Sequence, residues 1–157
     1  MPDRSVILIA EDDENHVSLL RRALKRANFL NPVFVVPDGE EAIAYFKGEG
    51  KYANRPEYPL PALLLLDLKM PRKNGFEVLE WVRQQPELST LRIIVLSSSE
   101  DLRDISRAYR SGANSFLFKP VEFGQFVEMV KAIQSSRLWT SRGAEITRPL
   151  VEATAKD

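Results

Sequence analysis

Asp67 closes the run LLLLD with no polar lead-in, and a carboxylate in so apolar a setting is costly unless its charge is used. Glu11 and Asp12 follow a second apolar run, VILIA, near the N-terminus. Ser97 closes IIVLS and Lys119 closes SFLFK, so a hydroxyl and an ammonium also stand at the ends of apolar stretches. Three acids close together do not all stay ionised without a cation, because their repulsion neutralises one of them. Oxygen donors with no His or Cys among them point to Mg²⁺, which keeps several waters and takes few protein carboxylates. A metal held by Asp12 and Asp67 would also take a phosphoryl oxygen. Lys119 would bind another oxygen as a point charge, and Ser97 would donate to a third. Asp67 is then the candidate nucleophile, its carboxylate attacking phosphorus to give an acyl phosphate.

These residues lie far apart in the chain and meet only if the segments carrying them share one crevice. Short apolar runs at residues 6–10, 33–36, 62–67, 93–97 and 115–119 have strand length and are apolar throughout, as strands buried on both faces are. Segments of helical period separate them. ENHVSLLRRALKRAN places Val17, Leu20, Leu24 and Ala27 on one stripe. DGEEAIAYFKG ends at Gly48, NGFEVLEWVRQQ stops before Pro86, EDLRDISRAYRSG closes at Gly112, and VEFGQFVEMVKAIQSS starts after Pro120. A fivefold strand-then-helix alternation predicts a parallel sheet covered on both faces. The expected fold is α/β, a flavodoxin-like (βα)5 three-layer sandwich of strand order 2-1-3-4-5, with its ligand site beside strands 1 and 3. All strand C-termini then point one way, and Glu11, Asp12, Asp67, Ser97 and Lys119 converge.

With these motifs the sequence resembles the receiver domain of two-component response regulators. ILIAEDD supplies the acidic pair, LLLLDLKMPRKNG surrounds the phosphoacceptor, VLSSS carries the hydroxyl, and FKP carries the lysine-proline, over a stretch from about Val6 to Ile133. The resemblance implies phosphorylation of Asp67 by a partner histidine kinase and dependence on Mg²⁺. It also implies a metal shell of Glu11, Asp12, Asp67 and the backbone carbonyl of Lys69. A switch coupled through Ser97 and Phe116 would act on the face of the fourth helix, fifth strand and fifth helix. A cis bond at Lys119–Pro120 fits the same pattern. Glu11 replaces the more usual Asp, Ser97 the more usual Thr, Phe116 an aromatic that is often Tyr, and Lys69 a small polar residue; the first three keep the chemistry, and Lys69 bears on the lifetime of the acyl phosphate. The long loop GEGKYANRPEYPLP and the lack of an output domain resemble stand-alone receivers that serve bacterial phytochrome kinases, which would make the kinase a bacteriophytochrome.

The 157 residues suit one domain, taken as 1–138, with 139–157 a tail that extends the last helix or is disordered. Lys+Arg and Asp+Glu number 22 each, so neither a nucleic-acid backbone nor an anionic membrane is the default partner. Cysteine is absent, and the N-terminus has no apolar stretch of signal-peptide length, which predicts a cytoplasmic protein. Asp13 reads as a helix-start residue, and His16, the sole histidine, as an ordinary surface residue. Arg72 and Lys73 read as a solvated loop, with steering of a phosphodonor as the alternative. Phe123, Phe126, Val127, Val130 and Ile133 read as mostly core, and any left outside would suit a kinase or homodimer contact, as would Trp139 beyond the last helix. The expected function is a phosphoacceptor module rather than an enzyme with turnover, its output protein contact without a DNA-reading domain. A phosphohydrolase with an Asp nucleophile is the rival, but such enzymes carry a second acid where this chain has Lys69. A receiver-shaped scaffold that accepts no phosphate is the other.

Overall fold

The computed structural model describes residues 5–135. Five strands alternate with five helices: β1 (Ile7–Ala10), α1 (Glu14–Arg26), β2 (Val33–Val36), α2 (Gly39–Lys47), β3 (Leu63–Leu66), α3 (Gly75–Arg83), β4 (Arg92–Ser97), α4 (Leu102–Arg110), β5 (Ser115–Phe118) and α5 (Phe123–Ser135). The strands form one parallel sheet in the order β2-β1-β3-β4-β5, as the alternation predicts. β1 and β3 are apolar at every position, and β4 is apolar between Arg92 and Ser97, because each face of the sheet has its own core. Leu8, Ala10, Leu64, Leu66 and Val95 pack against α2, α3 and α4 residues such as Ala42, Val78, Leu79 and Ala108. Ile7, Ile9, Leu63, Leu65 and Ile94 point the other way, against Leu20, Leu24, Phe126 and Val130 of α1 and α5. Each such side chain buried contributes about 1.5–3 kcal/mol, so the apolar strand β3 is a main source of stability and also the stem of Asp67.

Helix boundaries follow their caps. Asp13 starts α1, its carboxylate accepting the Asn15 N–H at 2.8 Å. Asn74 and Glu77 form a reciprocal capping box that starts α3 directly after the loop that follows Asp67. Of the α1 stripe, Leu20, Leu24 and Ala27 are buried and Val17 is half-buried. In α5, Phe126, Val127, Val130 and Ile133 are core. Phe123 is half-buried instead, with the Arg22 guanidinium 4.6 Å from its ring centre.

One expectation changes. The cis bond is absent: every peptide bond among the described residues is trans, Lys119–Pro120 included, in line with the intrinsic trans preference of X-Pro bonds. The long loop before β3 has a structure of its own. It forms a 3₁₀ turn at Gly50–Ala53, and Tyr52 donates to Glu41 Oε1 at 2.6 Å while Tyr45 donates to the Pro59 carbonyl at 2.8 Å. Arg55 donates to the Phe46 carbonyl at 2.7 Å, and Phe34, Tyr45, Tyr52 and Tyr58 stack at ring-centre distances of 5.0–6.1 Å. The 139–157 tail, Trp139 with it, lies outside the described residues.

Candidate functional site

Sheet hydrogen bonding continues one residue beyond three of the strands and so fixes three of the candidate residues. The Glu11 N–H donates to the Val36 carbonyl at 3.1 Å, the Asp67 N–H to the Ala10 carbonyl at 3.0 Å, and the Lys119 N–H to the Ser97 carbonyl at 2.8 Å. The backbones of Glu11, Asp67 and Lys119 are thus extensions of a rigid sheet, and their side chains inherit its register. Beyond Asp67 the chain must turn sharply into α3. The Gly75 N–H donates back to the Leu68 carbonyl at 2.9 Å, and a Cβ on Gly75 would lie 2.4 Å from the Asp67 carbonyl oxygen. Only glycine allows so close a return.

Carboxylate oxygens of Glu11, Asp12 and Asp67 lie within 4.8 Å of one another, Asp12 exposed and the other two buried. Lys119 Nζ stands over them, 2.8 Å from Glu11 Oε1 and 3.4 Å from Asp67 Oδ1. Its side chain is buried, so these are desolvated contacts in which charge counts for more than at a surface. The second oxygen of Glu11 accepts the Asp13 N–H at 3.1 Å. One ammonium does not balance the acids. The Asp67 carboxyl is pushed up to about 6, first by burial and next by the Glu11 charge; Lys119 and the Lys69 N–H, which hydrogen-bonds it, act the other way. A divalent cation would relieve that repulsion, and an all-oxygen, two-thirds buried donor set fits one.

Ser97 and Phe116, the two expected switch residues, are both buried, and the structure places them differently. Ser97 ends β4 beside the crevice, its Oγ accepting the Ser99 N–H at 3.0 Å. Ser99 in turn donates to Asp104 Oδ2 at 2.7 Å and accepts the Asp101 N–H at 3.2 Å, which ties this loop to the first turn of α4. Phe116 lies inward in the core on the α4 side, edge-on to Phe118 at 5.8 Å. Lys69 sits on the exposed loop after Asp67, its backbone facing the carboxylate.

The surface role expected of His16 is not what the structure shows. His16 is 30% exposed, and its Nδ1 lies 3.3 Å from Lys119 Nζ, 3.4 Å from Asp13 Oδ2 and 3.9 Å from Glu11 Oε2. With its proton on Nε2 the ring accepts from Lys119; with a proton on Nδ1 it donates to Asp13. A position one turn into α1 carries no signal for this in sequence, because the lysine it meets is 103 residues away. The Arg72 side chain also departs from a plain solvated loop, pairing with the buried Asp38 at 3.3 Å.

The model of the response regulator receiver domain family matches residues 7–131. Response regulator Rcp1 of Synechocystis sp. is 33% identical over 135 residues, which cover 86% of this chain and 90% of Rcp1. A solved Mn²⁺-bound form of Rcp1 superposes with a TM-score of 0.77 at 33% identity, covering 87% of this chain and 96% of that one. The phosphorylated cyanobacterial phytochrome response regulator RcpA gives 0.78 at 34% identity, over 87% and 94% of the two chains. RPA3017, from red light signaling of R. palustris, gives 0.80 at 34%, over the same shares. No helix among the described residues is long and apolar enough to cross a membrane. With its parallel sheet, its acids at the ends of β1 and β3 and its lysine at the end of β5, the chain belongs to the response regulator receiver domain family.

Proposed function

We propose that this chain is the phosphoacceptor of a two-component phosphorelay, taking a phosphoryl group from a histidine kinase onto Asp67 with Mg²⁺. The observation that carries this reading is a buried Asp67 carboxylate within 4.8 Å of two more acids and 3.4 Å from a buried ammonium. Mg²⁺, bound by Glu11, Asp12, Asp67 and the Lys69 carbonyl, would supply charge neutralisation and a fixed point for one phosphoryl oxygen. Asp67 attacks phosphorus, the P–N bond to the donor imidazole breaks, and an acyl phosphate forms. Lys119 exchanges part of its contact with Glu11 for a phosphoryl oxygen, and the Ser97 hydroxyl leaves the Ser99 amide to donate to another. Phe116 then repacks beside the space Ser97 vacates, and the α4-β5-α5 face changes its contacts. No substrate is turned over beyond the arrival and loss of phosphate at Asp67. Similarity to regulators from phytochrome signalling supports a phytochrome-type kinase as the donor; a cytoplasmic location and a homodimer go with the same reading.

The test is intact mass after incubation with acetyl phosphate, with and without Mg²⁺, for the wild type and Asp67→Ala. A single phosphoryl adduct requiring both Mg²⁺ and Asp67 is expected. An adduct that survives Asp67→Ala overturns the assignment, and steady release of phosphate from small esters would favour the phosphohydrolase.

A further inference from the structure

Arg72 has φ +68°, the left-handed region that bulky side chains rarely occupy. Its Nε lies 3.3 Å from Asp38 Oδ2, and the two side chains differ in exposure, 58% for Arg72 against 6% for Asp38. The other oxygen of Asp38 accepts the Glu41 N–H at 2.8 Å and starts α2. Directly behind it, a Cβ on Gly39 would lie 2.1 Å from the Lys73 carbonyl oxygen, so the start of α2 and the loop after Asp67 touch backbone to backbone. Between Arg72 and Lys69 stand only Met70, which is buried, and Pro71. Proline fixes its own φ and restricts the residue before it, so this link is stiff. A shift at Arg72 would be passed along this link to Lys69, whose N–H faces the Asp67 carboxylate.

We propose that Asp38 and Arg72 are a positioning pair that holds the Lys69 backbone in place against Asp67 before any metal arrives. The inference rests on the reading of Asp67 and Lys69 as metal-binding groups. A strained backbone persists where its surroundings over-determine it, and the buried Asp38 carboxylate is that surrounding. Neither residue touches the reacting atoms; they act through the loop, as outer partners of metal ligands do.

Three variants test the pair: Asp38→Asn, which keeps the helix-capping oxygen and removes the charge, Arg72→Gly, which removes both charge and strain on an exposed loop, and the two combined. Each is measured for Mn²⁺ affinity without phosphate and, metal-free, for amide exchange at residues 69–74. Mn²⁺ binding is expected to weaken by about tenfold in each single variant, with the double variant no worse than either. Exchange at Lys69 is expected to quicken in all three. Wild-type Mn²⁺ affinity in Asp38→Asn and Arg72→Gly, even with a lowered Tm, would overturn the pair and leave it a stabilising contact only. If the wild type itself bound no Mn²⁺, the phosphoacceptor reading would fall, while the exchange data would still decide the pair: unchanged exchange overturns it, faster exchange upholds it.

Discussion

The loops that follow β3 and β4 both border the crevice, and they are held in opposite ways. The loop after β3 is clamped through its backbone, where Gly75 returns against the Asp67 carbonyl and Gly39 seats the Lys73 carbonyl, and the Arg72 side chain adds an ion pair with the buried Asp38. The loop after β4 is held by hydroxyls, with Ser97 accepting from Ser99 and Ser99 bonded to Asp104 and the Asp101 N–H. A backbone clamp has one geometry, because nothing in it rotates. A hydroxyl exchanges partners by a turn about one bond, at the cost of about 1 kcal/mol for the bond given up. On the proposed reading, Asp67 and Lys69 belong to the fixed side and the Ser97 hydroxyl to the adjustable one, a division that would suit chemistry needing exact distances beside a signal needing two states.

The largest effect is expected from breaking the fixed side. Gly75→Ala forces a Cβ to within 2.4 Å of the Asp67 carbonyl oxygen and 2.7 Å of the Leu68 Cα, both backbone atoms that cannot swing away. A loss of about 3 kcal/mol in urea unfolding is expected, together with loss of the acetyl-phosphate adduct. A loss below about 1 kcal/mol would mean the loop yields as readily as its neighbour.

Next comes the charge held between the loops. Because burial and Glu11 raise the Asp67 carboxyl to about 6, the folded metal-free protein holds that proton more tightly than the unfolded chain does. The contribution of Asp67 to stability therefore falls as pH rises from the ordinary carboxylate value of 3.8 to about 6, and stays unfavourable above that. Asp67→Asn removes the burden and leaves Lys119 its 2.8 Å contact to Glu11. In metal-free calorimetry at pH 7.5 the variant is expected to melt on the order of 3 °C higher, with the gap closing as pH is lowered through about 6. Mg²⁺ is expected to raise the wild-type Tm more than the variant's. A pH-independent gap would mean that something other than the carboxylate's charge sets it.

The smallest effect is expected on the adjustable side. Ser99→Ala deletes the bonds to Asp104 and to the Asp101 N–H and is expected to cost about 1 kcal/mol. The adduct on Asp67 is expected to form at close to the wild-type rate, since no clamp of the β3 side is touched. A Ser99→Ala protein that cannot be phosphorylated would show the two loops to be one unit.

The fold and the convergence of the candidate groups were legible because they rest on short-range pattern. Apolar runs buried on both faces mark a parallel sheet, and in such a sheet the last residue of each run is placed by topology alone, so Glu11, Asp67, Ser97 and Lys119 could be assembled without coordinates. What surrounds them depends on long-range packing. His16 meets Lys119 only because the first turn of α1 lies beside the end of β5, a placement set by packing between distant segments. Arg72 pairs with Asp38 because the starts of α2 and α3 converge, and the tyrosines that order residues 49–61 find one another from α2 and from the loop itself. A charged residue in a polar loop reads as solvated, and only the depth of its partner says otherwise.

Lys119 joins three distant pieces of chain, reaching Glu11 at the end of β1, His16 in α1 and Asp67 at the end of β3. Synthesis proceeds from the N-terminus, so the acids emerge and can fold against one another well before the ammonium that restrains them exists. Closing a contact of this sequence separation is late and slow work for a folding chain. The crevice is consequently complete only when the last strand has docked, and a chain caught short of that point carries crowded acids without their counter-charge. On the proposed reading, competence to take up phosphate and completion of folding become the same event.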